Sequence, residues 1–260
     1  MSVQELFDLS GKVAFVSGGA GLLGSAFSEA LAEAGARVVI ASRDVAKCRA
    51  LAERLGGKHL AMQLDLADPA SIRQAIDSTV EQTGRIDILV NNGYRGATKP
   101  IEETIAEDFD YSFRVGVTSY FIASQHAHRY MKALGGGSII NIGSMYGIVG
   151  SYPDAYAGLG VCSPPNYHAL KGAVIHLTRH LAVYWARDNV RVNCLSPGPF
   201  PSPEIRKENP EFIRRLESHS PMSRMGEPKE LKGALLLLAS EAGSYITGHN
   251  LVVDGGWTAW

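Results

Sequence analysis

The sequence predicts an α/β fold, a three-layer doubly wound parallel sheet forming a single domain over residues 1–260. Three observations carry that expectation. Short Val/Ile/Leu-rich runs alternate with longer amphipathic segments along the chain. The runs are continuously apolar, as in strands buried on both faces. A glycine-rich turn joins the first run to the first amphipathic segment, where an open parallel sheet presents a helix N-terminus to a ligand.

The elements follow in order. Strands are expected at residues 13–16, 38–41, 59–64, 86–90, 138–142, 190–195 and 250–253. Helices are expected at 22–34, 45–55, 69–83, 107–134, 167–186 and 227–240. The third of these has proline in its first turn, where a missing N–H costs nothing. Two stretches break the rhythm: a Gly/Pro/Tyr-rich loop over 145–166 and a Pro- and charge-rich lid over 200–224. Insertions of that length in a compact domain are usually functional.

Composition bounds the function. Lys+Arg number 25 against 26 Asp+Glu, a net charge of −1, which argues against nucleic-acid phosphates or anionic membranes as partners. The 45% hydrophobic content is that of a globular chain long enough to bury its own core. Cys48, Cys162 and Cys194 are scattered and form no CxxC, so neither a disulfide framework nor a zinc ribbon is expected, and no metal. The opening Met1-Ser2-Val3-Gln4-Glu5-Leu6-Phe7-Asp8 is acidic and is no signal peptide. The longest apolar run, residues 234–239, is far too short to span a bilayer. These features point to a reduced, cytoplasmic protein.

Three motifs carry chemistry. Ser17-Gly18-Gly19-Ala20-Gly21-Leu22-Leu23-Gly24 lies between the first strand and first helix, where glycines let the backbone approach a pyrophosphate and the helix N-terminus offers N–H donors. Ala41-Ser42-Arg43-Asp44 ends the second strand. A carboxylate at the strand end accepts the ribose hydroxyls of NAD. Ser42 followed by Arg43 suits a 2′-phosphate instead, so NADP is favoured, with NAD possible. Asp65 and Leu66, after the third strand, bound the adenine. The third motif joins Ser144, after the fifth strand, to Tyr167-His168-Ala169-Leu170-Lys171. Tyr167 and Lys171 share one helix face. An ammonium there lowers the phenol pKa, so that Tyr167 exchanges a proton with a hydroxyl or carbonyl that Ser144 also contacts.

With these residues in place, the chain resembles the short-chain dehydrogenase/reductase family, whose dinucleotide-binding domain is the Rossmann fold. Asn91-Asn92-Gly93 resembles the family's Asn-Asn-Ala-Gly turn, and residues 137–144, Gly-Ser-Ile-Ile-Asn-Ile-Gly-Ser, resemble the strand ending in its catalytic serine. Asn193 with Ser196-Pro197-Gly198, Thr247-Gly248 and Val253-Asp254-Gly255-Gly256 resemble its later signatures. The resemblance implies hydride transfer between a nicotinamide and a carbinol carbon, with Tyr167 as acid/base. Lys171 then binds the nicotinamide ribose and assists Tyr167, and Ser144 polarises the substrate oxygen. It further implies cofactor contacts at Ser17, Gly18, Gly21, Leu22, Leu23, Asn92, Gly93, Pro197, Gly198 and Phe200, with Ser202 meeting the carboxamide.

Four departures from the family pattern stand out. The glycines space as Gly18-x-x-Gly21-x-x-Gly24. The Asn-Asn-Ala-Gly turn ends in Tyr94, which puts a ring and then Arg95 near the nicotinamide or substrate mouth. Gly116 stands where the resemblance implies a catalytic asparagine that supports a relay water, and a water is expected to fill the vacant space. Ser144 and Tyr167 are 23 residues apart, where the family usually shows about 13. Tyr146, Tyr152 and Tyr156 in the extra loop suit the wall of a sugar or polyol pocket, as in gluconate 5-dehydrogenase-like members. Tyr94, Arg95, Tyr146 and Tyr156 are therefore the candidate substrate residues.

The leading expectation is an NADP- or NAD-dependent oxidoreductase of a secondary alcohol or ketone, of sugar, sugar-acid or polyol type. The alternatives are a 3-oxoacyl thioester reductase and a nucleotide-binding protein that has lost turnover. Enoyl reduction is disfavoured, because that branch spaces Tyr and Lys seven apart and position 164 is proline. His126, His128, His176 and His180 are expected at contacts between copies of a homodimer or homotetramer. Trp257 and Trp260 are expected to bury against a neighbouring subunit.

Overall fold

The computed structural model describes residues 1–56 and 58–260. A short helix α1 (Val3–Phe7), capped by Ser2 and Glu5, precedes β1 (Val13–Ser17). The alternation then runs α2 (Leu22–Glu33), β2 (Arg37–Ser42), α3 (Val45–Arg54), β3 (Leu60–Gln63), α4 (Pro69–Thr83), β4 (Ile88–Asn91) and α5 (Ala106–Phe113). It continues with α6 (Ser119–Ala133), β5 (Gly137–Ile142), α7 (Pro153–Tyr156), α8 (Pro165–Trp185) and β6 (Val190–Pro197). Last come α9 (Pro203–Glu208), α10 (Pro210–His219), α11 (Lys232–Ala239) and β7 (Asn250–Val253).

The strands form one sheet in the order β3-β2-β1-β4-β5-β6-β7, every pairing parallel. Alternate strand residues face opposite layers. Val16, Ile40, Val90 and Ile140 pack with Phe27 and Leu31 of α2, Leu51 of α3 and Leu235 of α11. Phe15, Val39, Leu89 and Ile139 pack with Ile76 of α4, Met131 of α6 and Leu181 of α8. The expected doubly wound architecture is what forms.

The chain reverses its winding between β1 and β4, and the crevice opens at their C-terminal ends. The Gly18 turn and the Gly93 turn touch there, so closely that a Cβ on Gly18 would lie 2.7 Å from the Gly93 Cα. Gly18 itself has a φ of +62°. Gly24 is equally constrained, because a Cβ there would stand 2.0 Å from the Gly18 carbonyl oxygen.

A buried polar ladder crosses the sheet beside this crevice. The Asn91 amide donates to Ser124 Oγ at 3.0 Å and to Asn141 Oδ1 at 2.8 Å, and the Asn141 amide donates to Thr178 Oγ1 at 3.0 Å. It ties α6, β4, β5 and α8 together, so α8 is held by directional bonds as well as by packing.

Two expectations need correction. The segment expected as one helix over 107–134 is α5 and α6, joined by a π-helical turn at Arg114–Thr118 that has Gly116 at its centre. The loop over 145–166 holds a 3₁₀ turn, Met145–Gly147, and α7, and α8 begins at Pro165. The mixed-charge lid over 200–224 is built on α9 and α10.

Loop and lid share a small core of their own. Met145, Ala155, Ile213, Leu216, Met225 and Trp257 are buried together. Arg215 donates to the carbonyls of Asp154 (2.9 Å) and Ala157 (2.8 Å), and Tyr152 stacks on His219 at 4.1 Å. Trp257 is therefore buried within its own chain, 1% exposed, whereas Trp260 is 71% exposed. His126 pairs with Asp77 (2.6 Å), and His128 pairs with Asp188 (2.9 Å) and stacks on Trp185.

Because Trp257 packs within one chain, Trp257→Ala is expected to lower unfolding stability by about 3 kcal/mol. Denaturant unfolding checks this, with the same loss expected at every protein concentration. A loss that grows on dilution contradicts it.

Candidate active site

Each part of the crevice is built by a strand end. β1 delivers the glycine turn, with Gly21 at the N-cap of α2. No side chain caps the first turn of α2, so the amides at Leu22 and Leu23 and the positive end of the helix face the cleft. Gly18, Gly21, Leu22, Leu23, Ser42, Arg43, Asn92 and Gly93 line it, joined by Asp44, Lys47 and Tyr94. Asp65, Leu66, Arg95, Tyr111 and Val115 line its continuation.

Two of the expected cofactor residues also hold the loop. Ser17 is buried and its hydroxyl donates to the Val90 carbonyl, while the amides of Asn92 and Gly93 donate to its oxygen. The Asn92 side chain donates to the carbonyls of Ser17 and Gly18, both at 3.1 Å. Both residues thus bind the glycine turn to β4.

The Asp44 carboxylate caps α3 by accepting from the Lys47 amide at 3.1 Å. The Ser42 hydroxyl donates to the Asp44 carbonyl at 3.1 Å. Arg43 is exposed at the mouth of the cleft. Lys47 was not anticipated, because nothing in the sequence distinguishes it from a solvated helix lysine.

Arg95, expected near the nicotinamide or the substrate mouth, lines the cleft together with Ser42, Arg43, Asp65 and Tyr94. Pro197 is buried, and Gly198 closes on β7, where a Cβ would meet Asp254 Cα at 2.6 Å. The Phe200 ring packs over Gly226 and against the core. Ser202, expected at the carboxamide, caps α9 by accepting from the Ile205 amide at 3.3 Å.

The reactive end lies on β5 and α8. Ser144 follows β5, is 6% exposed, and accepts from the Tyr146 amide at 3.1 Å. Pro165 starts α8 two residues before Tyr167, so Tyr167 and Lys171 stand one turn apart on the same face. Burial raises the Tyr167 phenol above its ordinary value, and the neighbouring Ser144 hydroxyl opposes that rise. Lys171 is 3% exposed and donates to the Ile142 carbonyl at 2.6 Å. Burial pushes its ammonium down to about 8. The ammonium sits 5.6 Å from the Tyr167 ring centre.

Tyr146 and Tyr156 meet hydroxyl to hydroxyl at 2.5 Å. Tyr146 stacks on His168 at 4.5 Å, and His168 Nε2 pairs with the Ser163 hydroxyl at 2.6 Å. The two tyrosines, His168 and Ser163 form a polar aromatic wall next to Tyr167. His168 and Ser163 carried no signal in the sequence, since the loop that folds them together is irregular. The space expected to hold a water at Gly116 is filled by Tyr94 and Leu170. Among the described residues, no three His, Cys, Asp or Glu side chains gather as a metal site.

The cleft fits a nicotinamide dinucleotide: its floor is a turn no Cβ could share, its wall is an uncapped helix N-terminus, and Tyr94 on its lining packs against the Tyr167 ring and beside the Lys171 ammonium. Known proteins agree with that fit. A family model described as "Enoyl-(Acyl carrier protein) reductase" matches residues 19–258. Galactitol 2-dehydrogenase (L-tagatose-forming) of Cereibacter sphaeroides is 36% identical over 262 residues, covering 100% of both chains. A short-chain type dehydrogenase/reductase from Mycobacterium marinum superposes with a TM-score of 0.90 at 35% identity over 100% of both chains. A gluconate 5-dehydrogenase from Burkholderia cenocepacia, solved in complex with NADP and tartrate, gives 0.89 at 33% identity, again over 100% of both. By fold, by family match and by these relatives, the chain belongs to the short-chain dehydrogenase/reductase family.

Proposed function

We propose that this protein is an NADP-preferring oxidoreductase that interconverts a secondary alcohol and a ketone of a polyol, sugar or sugar acid, with Tyr167 as acid/base. The observation that carries this reading is the half-buried Tyr167, beside Ser144 and one helical turn from Lys171, packed against the Tyr94 ring that lines the glycine-turn cleft.

When bound, the nicotinamide supplies or accepts the hydride. The chain's own residues handle the proton and the charge. Tyr167 is protonated near neutral pH and gives its proton to a carbonyl oxygen during reduction. In oxidation it must first be a phenolate. Lys171, still largely ammonium at pH 7, stabilises that phenolate, and Ser144 donates to the reacting oxygen.

The preference for NADP rests on Arg43 and Lys47 at the cleft and on Asp44 being engaged at a helix cap. The substrate class rests on the hydroxyl-rich wall of Tyr146, Tyr156 and Ser163. The galactitol and gluconate relatives support the same class. Exposed Phe121, Val183 and Tyr184 on α6 and α8 support a homodimer or homotetramer. The unpaired cysteines suit a cytoplasmic setting. Reduction of an enoyl thioester is not adopted, because Tyr167 and Lys171 are four residues apart and the wall is polar.

Polyols and sugar acids assayed by the appearance of NADPH at 340 nm test the reading. Tyr167→Phe is expected to lower kcat about 10²–10⁴-fold while NADPH binding by fluorescence persists. Because burial raises the phenol, wild-type oxidation should gain rate as pH climbs above neutrality, and ketone reduction should lose it. Full turnover in the variant, or oxidation that slows with rising pH, contradicts the assignment.

For the cofactor, Arg43→Ala is expected to weaken NADPH binding about tenfold and to leave NADH unchanged. Fluorescence titration of both nucleotides checks it, and equal losses contradict a 2′-phosphate contact.

A further inference from the structure

Tyr94 takes no part in the proton chemistry just described, yet its ring makes three contacts at the heart of the site. Its centre is 5.5 Å from that of Tyr167, tilted by 50°. The Lys171 ammonium lies 5.8 Å from it, close to its distances from Tyr167 (5.6 Å) and Tyr120 (5.9 Å). The ring also rests on bare backbone, since a Cβ on Gly116 would stand 3.2 Å from Tyr94 Cδ2 and 2.9 Å from Leu170 Cδ1.

The Tyr94 hydroxyl is buried beside Ser112. The π turn matters here. It presents Gly116 to the ring, and a Cβ there would crowd Leu170 first and Tyr94 next.

We propose that Tyr94 is a positioning residue whose ring, seated on Gly116, fixes the Tyr167 ring and keeps water from the Lys171 ammonium. This rests on the reading of Tyr167 and Lys171 as the working pair.

The groups around that ammonium can be named from every side. Tyr94 faces it from the turn after β4, Tyr120 from α6, Tyr167 from α8 and the Ile142 carbonyl from β5. Cys194 on β6 is raised to about 11 by burial and stays neutral through the working range. Among the described residues no carboxylate pairs with Lys171. Rings stabilise a cation through their quadrupoles, but less than water does. Removing the Tyr94 ring and admitting water therefore lifts the lysine pKa back toward its ordinary value.

The test titrates Lys171 directly. Protein carrying ¹³C-labelled lysine is followed by NMR against pH, with the Lys171 signal assigned through Lys171→Arg. Wild type and Tyr94→Phe should share one low midpoint. Tyr94→Gly should move it upward by about one unit, a tenfold change in the protonation equilibrium. In the same variant kcat should fall about tenfold with little change in KM, and Phe should restore it. Gly116→Val, which displaces the ring without altering it, should shift the midpoint in the same direction and serves if Tyr94→Gly fails to fold. An unmoved midpoint in a folded variant, or Phe behaving like Gly, overturns the proposal. The titration needs no turnover, so its failure is separable from failure of the Tyr167 assignment.

Discussion

The site depends on one strained circumstance, an ammonium held in the protein interior without a carboxylate to pair with it. Lys171 has a backbone carbonyl, three tyrosine rings and almost no exposure. A buried cation so sparsely compensated lowers stability, and folds retain such groups where function requires them. The rest of the architecture holds it in place. The Asn91–Asn141–Thr178 ladder fixes α8 against the sheet, and Pro165 sets where that helix begins. The π turn brings Gly116 under Tyr94, so the cage closes from the side of the cleft.

The substrate side obeys a different logic. The loop after Ser144 and the lid after β6 have little access to the main core, so they build a small one together around Trp257. Arg215 and the Tyr152–His219 stack fasten the two segments. Beside them the hydroxyls of Tyr146 and Tyr156 are paired with each other and that of Ser163 with His168. The substrate class proposed above turns on these groups, since an unmatched buried polar atom is costly.

Much of this was legible in the residues. Continuous Val/Ile runs gave all seven strands to within a few positions, because burial on both faces leaves no other composition. The YxxxK pair and Ser144 came together, since helix periodicity and a strand end fix them locally. What stayed hidden depended on contacts distant in sequence. The Gly116 turn reads as plain helix, and only the Tyr94 ring 22 positions earlier shows why it bulges. The cap that Ser202 gives α9 stayed hidden for a related reason. Which side a loop residue faces is set by its neighbours' packing. Trp257 looked like a subunit contact because its partners, Tyr152 and Leu216, belong to irregular or inserted segments.

The most direct measurement is neutron diffraction from a crystal of the protein with bound NADP, grown near pH 7. The account expects a deuteron on the Tyr167 oxygen, that oxygen facing the nicotinamide beside Ser144, and a fully deuterated Lys171 ammonium within the three-ring cage. A Tyr167 hydroxyl turned out of the cleft, or a neutral Lys171 amine at that pH, would contradict it.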